Sequence, residues 1–525
     1  MTSTFHSIET AKRSLFTQTT ALSTTGHNVA NANTEGYSRQ KVNMQASIAM
    51  EPFAFLHSTT PGQLGTGVEF DSITRVREKF LDDQYRNENT NFGSWSIQRD
   101  TLEKLEAIVN EPSNTGFRTV MDNFYKSWSD LSKNPEDVTA RRIVKETTLA
   151  LTDAMNQISR QLGALSEDLN SNIAVKSNEI QGYLGNIANL NSAIVKVESL
   201  GDNANDLRDQ RDLMTDKLSK IMNISVTDSP QGYQIQMNGE ALVTGGAVTT
   251  EVTSDYLNTA YTAGTLTNGE VHGMIKSRDT LVSDYQKQMD ELANTLANGD
   301  IKITIPAGSV LPENTVIDGV TYSGDDRILK TDLKDVIVKG FNGLHQLGYS
   351  LDGASAAGIP FFTVAGTDPA NPVSTGITAG NISLNAEILA DPNKIASSLR
   401  TTTDASGTET VVKGNNTLAI LIANLKDTSI KSTDGLRNAT IGAQFSAIVG
   451  QLGVQSQEAA RQTSNTEFLV QQVETRRQSV SGVSLDEEMS NMIKFQHAYN
   501  ASARFMTTYD ELLDKLINST GTVGR

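Results

Sequence analysis

The placement of proline constrains the fold of this chain more than any other sequence feature. Of its eleven prolines, none lies between Pro135 and Pro230, and none follows Pro392. Because proline breaks helices, these two long tracts are predicted to be helical. Between them, prolines occur among Gly, Thr and Val, a pattern typical of short strands and turns, at positions 306, 312, 360, 369 and 372. The sequence therefore predicts an α+β, multi-domain protein with a β-rich middle.

Apolar residues in the first tract recur at alternating spacings of four and three. The first group is Leu151, Met155, Ile158, Leu162, Leu165 and Leu169, and the second is Ile180, Tyr183, Ile187, Leu190, Ile194 and Val197. This spacing predicts a helix from about 137 to 200 that packs nearly parallel to a partner helix, as in a coiled coil, in an elongated molecule. The alternative is an ordinary helical bundle with a break near Gly182 or Gly185.

Composition excludes several classes of function. The 525 residues suffice for several domains, and a net charge of −17 leaves no broad cationic face for nucleic acid or an anionic membrane. The absence of cysteine excludes disulfides and thiolate chemistry. The start of the chain interrupts its apolar residues too often for a signal peptide, so we expect export without a cleaved signal.

Both ends of the chain carry a seven-residue repeat of apolar side chains. The repeat is Ile8, Leu15, Leu22 and Val29 at the start, and Met492, Tyr499, Met506 and Leu513 at the end. Each predicts an amphipathic helix, and the two can bury their stripes against each other while identical neighbours cover what remains. We therefore expect these eight residues to carry polymerisation. The alternative is that both are core helices of one globular domain.

The last helix has a start signal at Ser484. Ser484 as N-cap and Glu487 three residues later form a capping box, with Leu485 as the first helical residue. Asp486 and Glu487 place negative charge at the positive end of the helix dipole.

The segment GHNVANANTEGYSRQ, residues 26–40, follows the first helix. Asn31, Asn33 and Gly36 tolerate left-handed conformations and are expected to end that helix. Tyr37, Arg39 and Gln40 then begin an extended stretch. With Asn28, these residues closely resemble the N-terminal motif of the bacterial flagellar rod, hook and hook-associated protein family, and we expect 31–40 to set the joint to neighbouring subunits.

Four further segments resemble the hook-associated members of that family. They are NEPS at 110–113, FYKSWSDLSKNPED at 124–137, NDLRDQRD at 205–212 and SGVSLDEEM at 481–489. The resemblance covers residues 1 to about 298, about 331 to 362, and about 440 to 525. Hook or distal-rod protein is the alternative within the family, and the third and fourth segments disfavour it.

The resemblance implies a structural subunit that polymerises at the distal end of the hook and joins hook to filament. Its implied partners are the hook protein, the neighbouring hook-associated protein on the filament side, further copies of itself in a ring, and an export chaperone at the C-terminal region. It also implies export through the flagellar type III channel to an extracellular position. In the family, the terminal helices form an inner coiled coil and β-rich domains point outward.

These expectations divide the chain into four parts. Residues 1–47 and 481–525 form a terminal helical coiled-coil domain. Residues 48–222 and 418–480 form a helical stem, with further helices at 273–298 and 331–347. Residues 223–270 form a β-rich domain, and 299–330 and 351–417 form variable outer β-rich insertions.

No residue pattern indicates catalysis, a metal site or a cofactor. The six histidines are mutually isolated, and HExxH, GxSxG and GxxxxGK are missing. Asp206, Asp209 and Asp212 alternate with Arg208 and Arg211, which predicts solvated or subunit-bridging ion pairs. The alternative from another class is an enzyme or glycan-binding adhesin in the outer β domains.

Overall fold

A computed structural model describes residues 5–49, 65–109, 116–351, 357–403 and 408–519. The segment 110–113, which contributed to the family resemblance, lies outside these ranges. The described α-helices are α1 His6–Ala30, α2 Lys79–Val109, α3 Phe117–Lys133, α4 Val138–Glu198, α5 Asn205–Ile221, α6 Ser254–Thr262, α7 Glu270–Lys276, α8 Ser283–Asn298, α9 Gly340–Leu347, α10 Ala386–Ala390, α11 Thr417–Ala423, α12 Ile441–Ser481 and α13 Leu485–Asp514. Short π-helical segments, Ser277–Val282 and Lys515–Ser519, follow α7 and α13.

The strands are short and pair only antiparallel in the described part of the chain. They are β1 Gln40–Ala46, β2 Val68–Arg75, β3 Ser225–Ser229, β4 Gly232–Met237, β5 Glu240–Thr244, β6 Ala247–Val248, β7 Asp300–Ile305, β8 Thr315–Ile317, β9 Val320–Tyr322, β10 Leu333–Lys339, β11 Phe362–Val364, β12 Ile382–Leu384, β13 Thr401–Thr403, β14 Glu409–Val411, β15 Ile430–Lys431 and β16 Asn438–Ala439. Two sheets have four strands, in the orders β3-β4-β5-β6 and β10-β7-β15-β16.

The chain forms two compact units. The first comprises residues 1–95, 173–273 and 463–525, and the second comprises 96–172 and 274–462. Both ends of the chain therefore belong to the first unit. The domain boundaries expected from the sequence stay a prediction.

Several helices follow the sequence pattern. Helix α4 runs without a break through Gly182 and Gly185, so the prediction of one long helix from about 137 to 200 is confirmed and the broken alternative is wrong. All six apolar residues of its first predicted group are buried. The helix expected at 273–298 is also present, as α7, the π-helical segment and α8. None of the described helices combines the length and apolarity that a membrane span requires.

Two expectations about secondary structure are wrong in part. The helix expected at 331–347 begins only at Gly340, because Leu333–Lys339 forms β10, where Val336 and Val338 pair with Ile303 and Ile301 of β7. Their alternating burial is a strand period, which the apolar content of the segment concealed. In 223–270, the β-structure ends at Val248, and helix α6 follows with Thr253 as its N-cap.

The core of the second unit is rich in aromatic rings. Trp128 and Phe124 of α3 pack against Phe341 of α9, with ring centroids 5.5 and 5.2 Å apart. Phe361 and Phe362 complete the cluster, and all five side chains are fully buried. Such rings contribute both buried area and edge-to-face contacts to the stability of this unit.

A buried histidine lies beside this cluster. His345 is fully buried, its Nδ1 donates to the carbonyl oxygen of Ile359 at 2.5 Å, and its Nε2 accepts from the backbone N–H of Ala396 at 2.8 Å. Burial is the main cause that lowers the pKa of His345 to about 4; the nearby charge of Arg141 acts in the same direction, and the hydrogen bond to Ile359 opposes both. Protonation would place a second N–H against the Ala396 donor, so the folded state holds the neutral ring.

This arrangement predicts acid lability. The unfolded chain takes up the His345 proton near pH 6.5, whereas the folded chain resists it down to about pH 4. Stability is therefore complete above pH 6.5 and falls between pH 6.5 and 4, by about 3 kcal/mol from this group. We expect His345→Gln, whose side-chain oxygen can still accept from Ala396, to remove this part of the pH dependence in urea unfolding followed by tryptophan fluorescence.

The control is His497→Gln, because His497 is exposed on α13. This variant should retain the pH dependence of the parent chain. Equal slopes for His345→Gln and the parent would contradict the assignment.

Candidate assembly interface

Helices α1 and α13 pack against each other as an antiparallel pair. Ser14 Oγ and Ser502 Oγ lie 2.7 Å apart, and Asn28 Nδ2 donates to Glu488 Oε2 at 3.1 Å. Moving fourteen residues forward on α1 thus corresponds to moving fourteen residues backward on α13, which fixes both direction and register. The two ends of the chain pair within one molecule, as the sequence predicted.

Small and polar side chains form the buried face of α1. These residues are Ala11, Thr17, Ala21, Thr24, Thr25 and Asn28. Thr17 Oγ1 also donates to the carbonyl oxygen of Val68 in β2, at 3.4 Å, which places the β1–β2 pair against the same helix. Small side chains let the backbones approach closely, so the contact relies on fit and hydrogen bonds more than on large apolar residues.

The predicted heptad stripe lies beside this buried face. Ile8, Leu15, Leu22 and Val29 are each partly buried, as are Met492, Met506 and Leu513, while Tyr499 is 39% exposed. Ser502, which contacts α1, lies three residues after Tyr499 of this stripe. A role of these eight residues in polymerisation stays a prediction.

The sequence reasoning missed a second set of apolar residues, which point outward from the pair. Of α13, only Glu488 is buried. The exposed large apolar side chains are Phe5 and Phe16 at the start of the chain and Leu485, Met489, Ile493, Phe505, Leu512, Leu516 and Ile517 at its end. Leu485 lies seven residues before Met492 and continues the predicted stripe, whereas Met489, Ile493, Phe505 and Leu512 lie outside it.

Asn28 is the polar centre of the joint between α1 and the segment that follows it. Its Oδ1 accepts from the Tyr37 hydroxyl at 2.8 Å and from the backbone N–H of Gln40 at 3.0 Å. Its Nδ2 donates to the Gln40 carbonyl at 2.9 Å and to Glu488. All four hydrogen-bonding positions of this buried amide are filled, which couples the end of α1, the start of β1 and α13.

The loop from 31 to 37 ends α1 differently from the sequence expectation. Asn31 does not adopt a left-handed conformation; instead its Nδ2 donates to the carbonyl oxygen of His27 at 3.1 Å and so caps the last turn. Only Gly36 in this loop has a left-handed backbone, with φ of 81°, and a side chain there would meet Leu213 of α5. Asn33 is exposed.

Arg39 and Gln40 connect the loop to both neighbouring elements. The backbone N–H of Arg39 donates to the carbonyl oxygen of Ser481 at 2.8 Å, and its guanidinium donates to Glu487. The side chain of Gln40 donates to Asp206 Oδ1 at 2.7 Å. The extended stretch predicted here is confirmed as β1, which begins at Gln40.

The start of α13 follows its sequence signal. Ser484 is the N-cap, and its Oγ accepts from the backbone N–H of Glu487 at 3.4 Å. Leu485 is the first helical residue, and Asp486 and Glu487 lie in the first turn. The carboxylate of Glu487 binds Arg39, so it joins α13 to the motif loop rather than completing a capping box.

A cluster of buried ion pairs in the same unit contacts the segment that follows the loop from 31 to 37. Its members are Arg75, Arg77, Arg86 and Arg477 with Asp82, Asp209, Asp212 and Asp216. Arg75 donates to Asp209 at 2.6 Å and to Asp212 at 2.9 Å, and Arg86 donates to Asp216 at 2.7 Å. Asp209 also accepts from the backbone N–H of Ser38, which attaches the motif segment to α5.

The sequence prediction for these aspartates is therefore wrong in part. Asp209 and Asp212 form ion pairs, but the pairs are buried and lie within one chain, whereas solvated or subunit-bridging pairs were expected. Arg75, Arg86 and Arg477 come from distant segments, which the helical pattern of α5 could not reveal. Only Asp206 is exposed, where it contacts His27 and Gln40.

Burial and charge act in opposite directions on the pKa of Asp212. Burial alone would raise it, but the guanidinium groups of Arg77, Arg75 and Arg86 hold it well below its usual range. The folded state therefore holds Asp212 in its charged form. Removing one member of such a network leaves buried charges uncompensated, which costs more than the intact pair contributes.

We predict that Asp212→Asn destabilises the protein by about 3 to 5 kcal/mol, because the buried arginines around it lose their shared carboxylate. Urea unfolding at neutral pH measures the change. The matched control is Asp228→Asn, since Asp228 is an exposed aspartate of the nearby strand β3. A loss no larger than that of the control would show that the network does not depend on Asp212.

Comparison with known proteins assigns the class of this chain. Residues 8–37 match the family "Flagella basal body rod protein", and 476–519 match "Flagellar basal body rod FlgEFG protein C-terminal". The paired ends described above are thus the segments shared with flagellar rod proteins. The chain is a structural protein of the bacterial flagellum.

The middle of the chain and its relatives define the family more closely. Residues 102–299 match "Flagellar hook-associated protein FlgK helical domain". Flagellar hook-associated protein 1 of Bacillus subtilis (strain 168) is 32% identical over 537 residues, covering 100% of both chains. The protein of the same name from Escherichia coli (strain K12) is 25% identical, covering 95% of this chain and 96% of that one. The chain belongs to the flagellar hook-associated protein 1 family.

One solved structure is also similar, that of the flagellar hook junction protein FlgK from Burkholderia pseudomallei. It superposes with a TM-score of 0.49 at 16% identity, covering 76% of this chain and 100% of that one.

Proposed function

We propose that this protein polymerises at the distal end of the flagellar hook and joins the hook to the filament. Similarity over the full length to proteins named flagellar hook-associated protein 1 supports this position. In this role the protein is extracellular and leaves the cell without a cleaved signal. Hook or distal-rod protein is less well supported, because the relatives that match the whole chain are hook-associated proteins.

The apolar surface left uncovered on α13 is the observation that carries the proposal. Met489, Ile493, Phe505 and Leu512 each expose about half of their side chains on a helix with one buried residue. Exposed apolar side chains in this number on one helix mark it as a site of protein–protein contact. Copies of the chain that stack through this surface gain its burial only in the polymer.

The same surface accounts for the partners we propose. In the assembled structure it meets the hook protein on one side, the next hook-associated protein on the other, and further copies of this chain in a ring. Before assembly, an export chaperone bound at the C-terminal region covers it. We also infer that the protein is not an enzyme, since its family is structural and its function resides in these contacts.

Deletion of the gene tests the proposed position. We expect cells with hooks that carry no filament, and flagellin shed into the medium, because the filament then has no base on which to grow. Electron microscopy of the cells and immunoblotting of the medium measure the two effects. Loss of the hook itself would favour the rod or hook alternative, and normal filaments would contradict a role at the junction.

Substitutions on α13 test the surface. We expect the double variant Ile493→Asp, Leu512→Asp to be exported yet to form no filament, because both side chains are exposed in the monomer and are buried only on assembly. In urea unfolding, the free energy of unfolding of its monomer should equal that of the parent within about 0.5 kcal/mol.

The control is Gln496→Asp, Asn500→Asp, which adds the same charge at exposed polar positions of α13. Cells with the control should make normal filaments. If both double variants form filaments equally well, α13 does not use Ile493 and Leu512 in assembly.

A further inference from the structure

A hydrogen-bonded turn in the second unit carries one highly exposed leucine. Residues 432–437 connect β15 to β16, and Leu436 at the end of this turn is 84% exposed. Within the turn, Ser432 N–H donates to the Arg437 carbonyl at 2.8 Å, and Asp434 Oδ1 accepts from the Leu436 N–H at 2.8 Å. Gly435 supplies the left-handed backbone, with φ of 76°, that the reversal requires.

The turn is also held from outside. Glu291 of α8 accepts from the Thr433 hydroxyl at 2.8 Å and from the Asp434 N–H at 3.2 Å, and Asn294 donates to Thr433 Oγ1 at 2.9 Å. These contacts hold the backbone of the turn, and with it the Cα position of Leu436, before any partner arrives. A preorganised apolar side chain loses little entropy on binding, which is the property of an anchor residue.

The same unit carries an apolar groove between α3 and α4. It encloses about 380 Å³, with Val120 on one wall and Ile143, Thr147 and Ala150 on the other. Ile143 is 52% exposed at its centre. The groove is large enough for one leucine side chain and the backbone on either side of it.

Charges beside the groove match charges beside the leucine. Arg142 and Glu146 flank Ile143 one helical turn apart, about 6 Å along the axis. Asp434 and Arg437 flank Leu436. Arg437 is near enough to Asp434 for its charge to lower the pKa of that carboxyl group, and Glu146 has a 3.3 Å contact with Lys145.

We propose that the 432–437 turn of one copy docks into the α3–α4 groove of a second copy. Leu436 then lies on Ile143, Asp434 meets Arg142 and Arg437 meets Glu146. Turn and groove are different surfaces of the same unit, so the contact is head to tail and propagates from copy to copy until a ring closes. This inference rests on the proposed function, in which copies of the chain form such a ring.

Because the chain contains no cysteine, engineered thiols test the contact directly. Cells that lack the native gene express one differently tagged copy with Leu436→Cys and another with Ile143→Cys, and their isolated flagella are treated with a mild oxidant. We expect a disulfide-linked dimer that carries both tags on a non-reducing gel. The control pair combines Ile143→Cys with Val454→Cys, an exposed apolar position on α12 of the same unit, and should give no dimer.

Charge reversal gives a second and independent measurement. Arg437→Glu and Glu146→Arg each place like charges together, and we expect each to reduce the number of filaments per cell about tenfold. The double variant restores opposite charges and should return the count to within about twofold of the parent. Neither side chain is buried, so both single variants should fold as the parent does.

The two experiments separate this contact from the proposed function. Normal filaments without the mixed disulfide would overturn the docking contact and leave the role at the junction intact. The same conclusion would follow if the single charge variants formed as many filaments per cell as the parent. If the unmodified gene fails to restore filaments to the deletion strain, the proposed function itself is wrong. If the cysteine variants assemble no filament, the charge variants test the contact instead. Recovery of filaments in the double charge variant would then support the contact, and no recovery would overturn it.

Discussion

The buried ion pairs between arginines and aspartates are the interaction on which the first unit depends. Arg477 of α12 and Arg86 of α2 both bind Asp216 of α5, while Arg75 of β2 binds Asp212. One cluster thus joins three helices and a strand that are far apart in the sequence. Such a network contributes little net free energy after desolvation, but it admits only one arrangement of its members, because any other arrangement leaves a buried charge unpaired.

The family motif after α1, residues 31–40, is held in place by this cluster and by Asn28. Asp209 of α5 accepts a hydrogen bond from the backbone N–H of Ser38. Asn28 of α1 accepts hydrogen bonds from the Tyr37 hydroxyl and the Gln40 backbone N–H. The loop in turn fixes α13 through Arg39 and Glu487. The family motif therefore acts mainly within the chain, where it sets the geometry with which the two ends meet. Asn33 of this motif is exposed.

Local patterns made much of this fold predictable. The long helix α4 and the start of α13 at Ser484 follow from residue spacing and capping, which depend only on near neighbours in the chain. The strand Leu333–Lys339 was missed because its inward positions, Val336 and Val338, are recognisable only once β7 is known to lie beside them. Met489, Ile493, Phe505 and Leu512 of α13 were missed because the heptad pattern followed only one side of a helix that carries apolar residues on other sides as well.

Residue spacing and capping alone were enough to predict that both ends are helical and amphipathic and that the last helix begins at Ser484. These properties follow from periodicity and backbone preference, which act over a few residues. The folded chain alone reveals that Ser14 faces Ser502, that Asn28 fills all four of its hydrogen-bonding positions, and that Arg477 binds Asp216 across 261 residues. Burial supplies the physical reason: a charge or an amide removed from water must find its partner wherever the fold brings one, and the spacing of neighbouring residues carries no record of that partner.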